Sequence, residues 1–165
     1  MKIIAAGNIF TGTFERDGMG GILTLGRNFE CRPNKLKGYY KYTSAKVSVS
    51  KGHLNEGEDD LCSLYIALTD EQITVNTNKG IYFDPNSSAV IAYGSISDEE
   101  SKGADSFKEF TVDLEYKDLK RIPKYIIVVA SSSKYGDYME GGKGSTMWLD
   151  DLELVYPKSM EEVRK

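Results

Sequence analysis

The sequence predicts an all-β domain, an antiparallel sandwich of two sheets. Period-two alternation of apolar and polar residues recurs along the chain. Clusters of Gly, Asn, Asp and Pro separate the alternating runs. About eight such runs succeed one another with no interposed helix, which excludes βαβ units and leaves a sandwich or barrel.

Each element has its own justification. Residues 8–14 and 22–29 are short strand patterns on either side of Gly18-Met19-Gly20-Gly21. Residues 36–50 form a long pattern. In its first half Leu36, Gly38, Tyr40 and Tyr42 share one face and Lys37, Tyr39 and Lys41 the other, and Val47 and Val49 alternate further on. Residues 61–69 alternate cleanly, with Cys62, Leu64, Ile66 and Leu68 on one face. Residues 89–96 come after two turn clusters, Asn78-Lys79-Gly80 and Asp84-Pro85-Asn86. In 107–116, Phe110, Val112, Leu114 and Tyr116 oppose Glu109, Asp113 and Glu115, as in a half-buried strand. Residues 125–132 open with Tyr125-Ile126-Ile127-Val128-Val129-Ala130, apolar on both faces, and read as a central strand. Residues 146–156 close the domain. Phe110, Val112, Leu114, Ile127 and Val129 are expected in the core. The domain spans residues 1–157, and 158–165 form a short charged tail.

Composition narrows the function. The 165 residues suit one domain with its own core. Net charge is -4 with acids interleaved among lysines, so no basic stripe marks a nucleic-acid surface. No apolar run approaches the roughly 20 residues of a membrane span. Met1-Lys2-Ile3-Ile4-Ala5-Ala6 has no signal-peptide h-region. Cys31 and Cys62 are too few for a disulfide scaffold and fit no zinc spacing, and Cys62 is expected as a buried thiol. Gly141-Gly142-Lys143-Gly144-Ser145-Thr146 lacks the Walker order and leads into a strand. His53, the one histidine, lies in a turn with no evident catalytic partner.

Two segments carry candidate chemistry. Arg32-Pro33-Asn34-Lys35-Leu36-Lys37-Gly38-Tyr39-Tyr40-Lys41-Tyr42 joins guanidinium and ammonium donors to flat rings, and sugars present both hydroxyls and apolar C–H faces. Arg32, Tyr39, Lys41 and Tyr42 are therefore candidate ligand contacts, with Tyr138 of the 135–140 loop and Trp148 of the closing strand. The competing reading makes the tyrosines core residues and Arg32 an anchor for backbone carbonyls beside Pro33. Catalysis of glycoside hydrolysis needs two carboxylates facing one cleft, roughly 5–10 Å apart. Glu140, Asp137 and Glu30 are the candidate members, and the sequence pairs none of them.

Four motifs in order carry a family resemblance: Gly7-Asn8-Ile9-Phe10-Thr11-Gly12-Thr13-Phe14, the Arg32–Tyr42 segment, Ala92-Tyr93-Gly94, and the stretch from Ser131 to Tyr156 with its paired aspartates. Together they resemble the putative carbohydrate metabolism domain (PCMD) family of Bacteroidetes, over about residues 6–156. The resemblance implies a jelly-roll sandwich akin to carbohydrate-binding modules, a carbohydrate partner, and a cell-surface or periplasmic location, although longer members carry an N-terminal domain and this chain shows no export signal. It supplies no catalytic residues. Sugar-binding jelly rolls further imply a structural calcium at Asp151 with backbone carbonyls near residues 7–9, since calcium takes hard oxygen ligands. The expected function is glycan recognition. The alternatives are a jelly-roll glycoside hydrolase and a structural or adhesion module.

Overall fold

Fourteen strands build the computed structural model, which describes residues 3–18 and 20–159. They are β1 (Asn8–Phe10), β2 (Gly12–Asp17), β3 (Gly20–Leu25), β4 (Arg27–Asn28), β5 (Lys35–Thr43), β6 (Val47–Val49), β7 (Ser63–Thr69), β8 (Ile73–Asn76), β9 (Val90–Ser95), β10 (Ala104–Asp113), β11 (Glu115–Tyr116), β12 (Tyr125–Ser131), β13 (Gly141–Gly142) and β14 (Thr146–Val155). Most of the charged tail, residues 160–165, lies outside the described residues.

The strands form layers, and every pairing is antiparallel. The central sheet runs β1-β12-β7-β9-β11, with β4 also on β12. A front sheet, β10-β5-β14, packs on one face of it. A small back sheet, β2-β3-β8, covers part of the other face. The predicted sandwich is thus present, with a third layer added. The apolar character of both faces of residues 125–132 has its cause here. Ile126 and Ala130 face the front core with Leu64, Ile66, Leu68, Phe110 and Val112. Ile127 joins Leu25, Ala67 and Val75 in the back core, with Val129 packed against it. The five expected core residues therefore divide between two cores.

The faces predicted for residues 36–42 are those observed: Leu36, Gly38, Tyr40 and Tyr42 are buried, and Tyr39 is exposed. Burying a large apolar side chain contributes roughly 1.5–3 kcal/mol, but a buried hydroxyl needs a partner. Tyr40 donates to Glu100 O at 2.9 Å and Tyr42 to Ser132 O at 3.0 Å. Burial pushes the Tyr40 hydroxyl up to about 12 and the Cys62 thiol up to about 12.

Three of the expected strand patterns break where the chain changes layer. Residues 8–14 switch from the central to the back sheet at Thr11, whose hydroxyl donates to Ile126 O at 3.0 Å and accepts from Val128 N at 2.9 Å. Residues 22–29 break at Gly26, which has φ +114°. Residues 36–50 divide into β5 and β6.

Asp60 fastens the end of the sandwich beyond Ser131 of β12, opposite the Tyr125 end where Thr11 and Gly26 redirect the chain. It is 1 % exposed. Its Oδ2 accepts from Ser133 Oγ at 2.6 Å, Ser145 Oγ at 2.7 Å and Gly142 N at 2.8 Å, and its Oδ1 accepts from Leu61 N at 2.9 Å. Gly141 passes so close that a Cβ there would lie 2.5 Å from Ser133 Oγ. Breaking a buried charged network from one side typically costs about 3–5 kcal/mol. Asp60→Ala is expected to lower unfolding free energy by about that amount, measured by urea denaturation. A loss below about 1 kcal/mol would show that the node is not needed for stability.

Candidate functional site

A cleft of about 300 Å³ opens beside the Ser63 and Ser95 ends of β7 and β9. Strand alternation supplies its floor: Tyr65 and Tyr93 project from the face opposite Leu64 and Ile66. The turn after β8 supplies another part. Asn76 Oδ1 accepts from Lys79 N at 3.1 Å, Gly80 takes a left-handed φ of 65°, and Asn76 bridges to Ile81. This return delivers Tyr82 and Phe83 to the cleft. Tyr65 stacks on Phe83 at 4.9 Å and lies 5.9 Å from Tyr93. Tyr82 stacks on Tyr138 at 4.1 Å, and Tyr138 meets His53 at 4.3 Å. His53 stacks in turn on Tyr135 at 4.4 Å.

Tyr138 belongs to the 3₁₀ turn Gly136–Tyr138, which ends at Met139 in a left-handed conformation with φ 58°. Glu140 anchors the chain directly after this turn. It is fully buried, and it accepts from Lys51 N at 2.9 Å, His53 N at 3.2 Å, Leu54 N at 2.5 Å and the His53 ring at 3.0 Å. Burial alone would raise its pKa, but the His53 ring and the three amides outweigh burial and hold the carboxyl below its usual range. Both Glu140 oxygens are thus engaged in fixing the loop.

Asp137 differs. Among the described residues its carboxyl takes no hydrogen bond or ion pair, and burial raises its pKa. It lines the cleft with Lys134, whose Nζ lies 3.0 Å from Asp98 Oδ1. Of the three acids singled out for catalysis, only Asp137 reaches the cleft. Glu30 is exposed near Arg32.

The expected ligand contacts fall in three places. Tyr138 is in the cleft. Tyr39, Lys41 and Trp148 lie on the outer face of the front sheet, with Lys41 Nζ 4.9 Å from the Trp148 ring. Tyr42 is 2 % exposed in the front core, so its ring has no face for a ligand and its assignment as a contact is corrected. Arg32 is at the far end of β5, which spans nine residues or roughly 26 Å. There its Nη2 donates to Arg121 O and its guanidinium lies 5.7 Å from the Tyr116 ring centroid, while Tyr116 donates to Pro33 O at 2.6 Å. Arg32 and the 135–140 loop do not share a site.

Asp151 occupies a β-bulge in β14 with φ 48°, and its amide donates to Asp150 Oδ1 at 2.9 Å. The Gly7 carbonyl already accepts from Ser132 N at 2.9 Å, and β1 is paired along β12. The groove between β1 and β14 is lined from Ser145 to Leu149 and does not include Asp151. That groove brings residues 7–9 together with β14 only as far as Leu149. Among the described residues no three His, Cys, Asp or Glu side chains are grouped to hold a metal ion.

Sequence reasoning missed Tyr65, Tyr82, Phe83, Tyr93 and Lys134. The usable signals were an aromatic on the second face of an otherwise core strand, and a Tyr-Phe pair immediately before Asp84-Pro85.

These features define a β-sandwich domain with a ring-lined cleft, in which the Asp137 carboxyl has no hydrogen bond or ion pair among the described residues. The chain belongs to the family described as Putative carbohydrate metabolism domain, whose model matches residues 1–155. It is similar to the crystal structure of a putative glycoside hydrolase from Bacteroides thetaiotaomicron VPI-5482, at 26% identity and a TM-score of 0.71, covering 94% of this chain and 48% of that one. It is also similar to a putative glycoside hydrolase from Bacteroides vulgatus ATCC 8482, at 26% identity and a TM-score of 0.70, covering 92% and 64%. The chain thus spans between about half and two thirds of these proteins. No match was found among curated proteins.

The anchoring roles of Arg32 and Glu140 can each be checked. Arg32→Ala should lower stability by about 1.5–3 kcal/mol, as for a lost charged hydrogen bond, and leave ligand binding unchanged. A stable variant with altered binding would return Arg32 to the site. For Glu140, a folded pKa below the unfolded 4.5 means that its stabilisation is complete above 4.5 and is lost as pH falls through the folded value. Glu140→Gln should lower Tm at neutral pH and flatten the acid limb of a Tm-against-pH curve. An unchanged limb would refute the assignment.

Proposed function

We propose that this domain recognises a glycan in the Tyr65–Tyr82–Phe83–Tyr93–Tyr138 cleft, as a carbohydrate-binding module and not as a hydrolase. The observation that carries the reading is the convergence of five aromatic rings with Lys134 and Asp137 in one cleft. A pyranose would lay its C–H face on a ring and direct hydroxyls to the Lys134 ammonium and the Asp137 carboxyl. The family's name for carbohydrate metabolism supports the reading. So does the likeness to longer proteins described as putative glycoside hydrolases, in which a domain of this kind would hold substrate for a separate catalytic part. We place the domain at the cell surface or in the periplasm, where polysaccharide is met. No helix among the described residues is long and apolar enough to cross a membrane.

Hydrolysis is the second reading, favoured by one observation. A carboxyl whose pKa is raised by burial is suited to protonate a leaving oxygen. It needs a second carboxylate, and the acid lining the same cleft, Asp98, is tied to Lys134 and is 94% exposed at its side chain.

A glycan array coupled to calorimetry tests both. Wild type should bind in the micromolar to millimolar range, about -8 to -4 kcal/mol. Tyr82→Ala should weaken binding about tenfold or more, equivalent to about 1.4 kcal/mol, with the fold intact. Silence across a broad array would end the binding proposal. Sugar release by wild type that disappears in Asp137→Asn would establish the hydrolase instead.

A further inference from the structure

We infer that the cleft selects glycans bearing a free, protonated amino group, of the hexosamine class. This rests on the glycan-binding reading above and specifies its ligand.

Charge gives the first reason. The ionisable groups lining the cleft are Asp98, Lys134, Asp137, the Cys62 thiol and the hydroxyls of Tyr65, Tyr82, Tyr93 and Tyr138. Lys134 and Asp98 form an ion pair at 3.0 Å and cancel. Burial pushes the Tyr65 and Tyr138 hydroxyls up, which keeps them neutral. Asp137 is left as the uncompensated charge. Asp137 is half-buried, and a carboxylate partly withdrawn from water without a partner is unfavourable, so a cation delivered by a ligand reduces that penalty.

Geometry adds a second reason. Rings present a negative face, and a cation within about 6 Å of a ring centroid is attracted to it, most strongly when desolvated. Tyr65, Phe83 and Tyr93 are mutually 4.9 to 6.1 Å apart, and Tyr82 and Tyr138 stack beside Asp137. Rings with one carboxyl match an ammonium group on an otherwise neutral sugar. A neutral hexose or an N-acetylated sugar offers no charge, and a uronate would meet Asp137 with like charge.

Asp137 is also held in place. Its turn closes with Tyr138 N donating to Tyr135 O at 3.0 Å and Met139 N to Gly136 O at 2.9 Å, and buried Glu140 pins the chain immediately after it. The carboxyl is therefore presented by a fixed turn.

The test compares three tetrasaccharides on the full chain by calorimetry near neutral pH: a β-1,4 glucosamine tetramer, its fully N-acetylated counterpart, and cellotetraose. The glucosamine tetramer should bind about tenfold tighter than the other two, or about 1.4 kcal/mol. Asp137→Asn should erase the difference between the three ligands, and should raise Tm because the unpaired charge is gone. Equal or tighter binding of the neutral or acetylated tetramer by wild type overturns the inference and leaves glycan recognition standing. Binding of no glycan by wild type overturns both. A preference that survives Asp137→Asn overturns the role given to Asp137. The three-ligand comparison on the unmodified chain decides the selectivity even if the variant does not fold.

Discussion

Asp60 accepts four hydrogen bonds at a position shut off from water: one from its neighbour Leu61, and three from two distant stretches of chain that converge on it, Ser133 and the Gly142 to Ser145 loop. A buried carboxylate stays buried only if its lone pairs are met, so these stretches cannot drift apart without exposing or orphaning the charge. Placing Ser133 and Gly142 fixes both ends of the segment between them. That segment contains the 3₁₀ turn and Glu140, and Glu140 in turn gathers the amides of Lys51, His53 and Leu54. Tyr138 is positioned from one side by this loop and from the other by His53 and Tyr82. The cleft wall is therefore set by two buried acids that do not line it.

The legibility of the fold in the sequence comes from periodicity. In β5 and β10 one face is core and the other is not, so a period of two survives in the residues and the faces were readable. β12 has no alternation because both of its faces are covered, and that absence correctly marked it as central. Layer changes were not readable. Thr11 and Gly26 redirect the chain without interrupting an apolar pattern, so strands of different sheets looked continuous. β8 is only four residues long, too short for alternation to stand out.

The site was less legible for a physical reason. Residues rich in binding chemistry are also residues that make good structural contacts. Arg32 with its neighbouring aromatics looked like a sugar platform, yet its guanidinium serves Arg121 O and the Tyr116 ring. Glu140 looked like a candidate catalytic acid and is fully enclosed. The cleft is made by residues from β7, the turn after β8, β9 and the 134–138 loop, which are far apart in the chain and are united only by register. Asp137 and Tyr138 were visible because their loop is dense in Gly, Tyr and acid. Their partners were not, because each is one aromatic within an otherwise ordinary strand or turn.

The position of β5 has a consequence for how the protein comes into being. β5 is the middle strand of the front sheet, yet its neighbours are β10 and β14, and β1 waits for β12. As the chain is synthesised, β5 emerges with both edges bare and keeps one of them open until the final strand is released. Pairings between such distant segments are slow, in roughly the millisecond to second range for proteins of this kind. Unpaired edges are sticky throughout that interval. The lysines at 35, 37 and 41 alternate along the outward face of this strand and put positive charge beside its waiting edges. They disfavour the stacking of one nascent copy on another, and so protect the domain at a stage before any cleft exists.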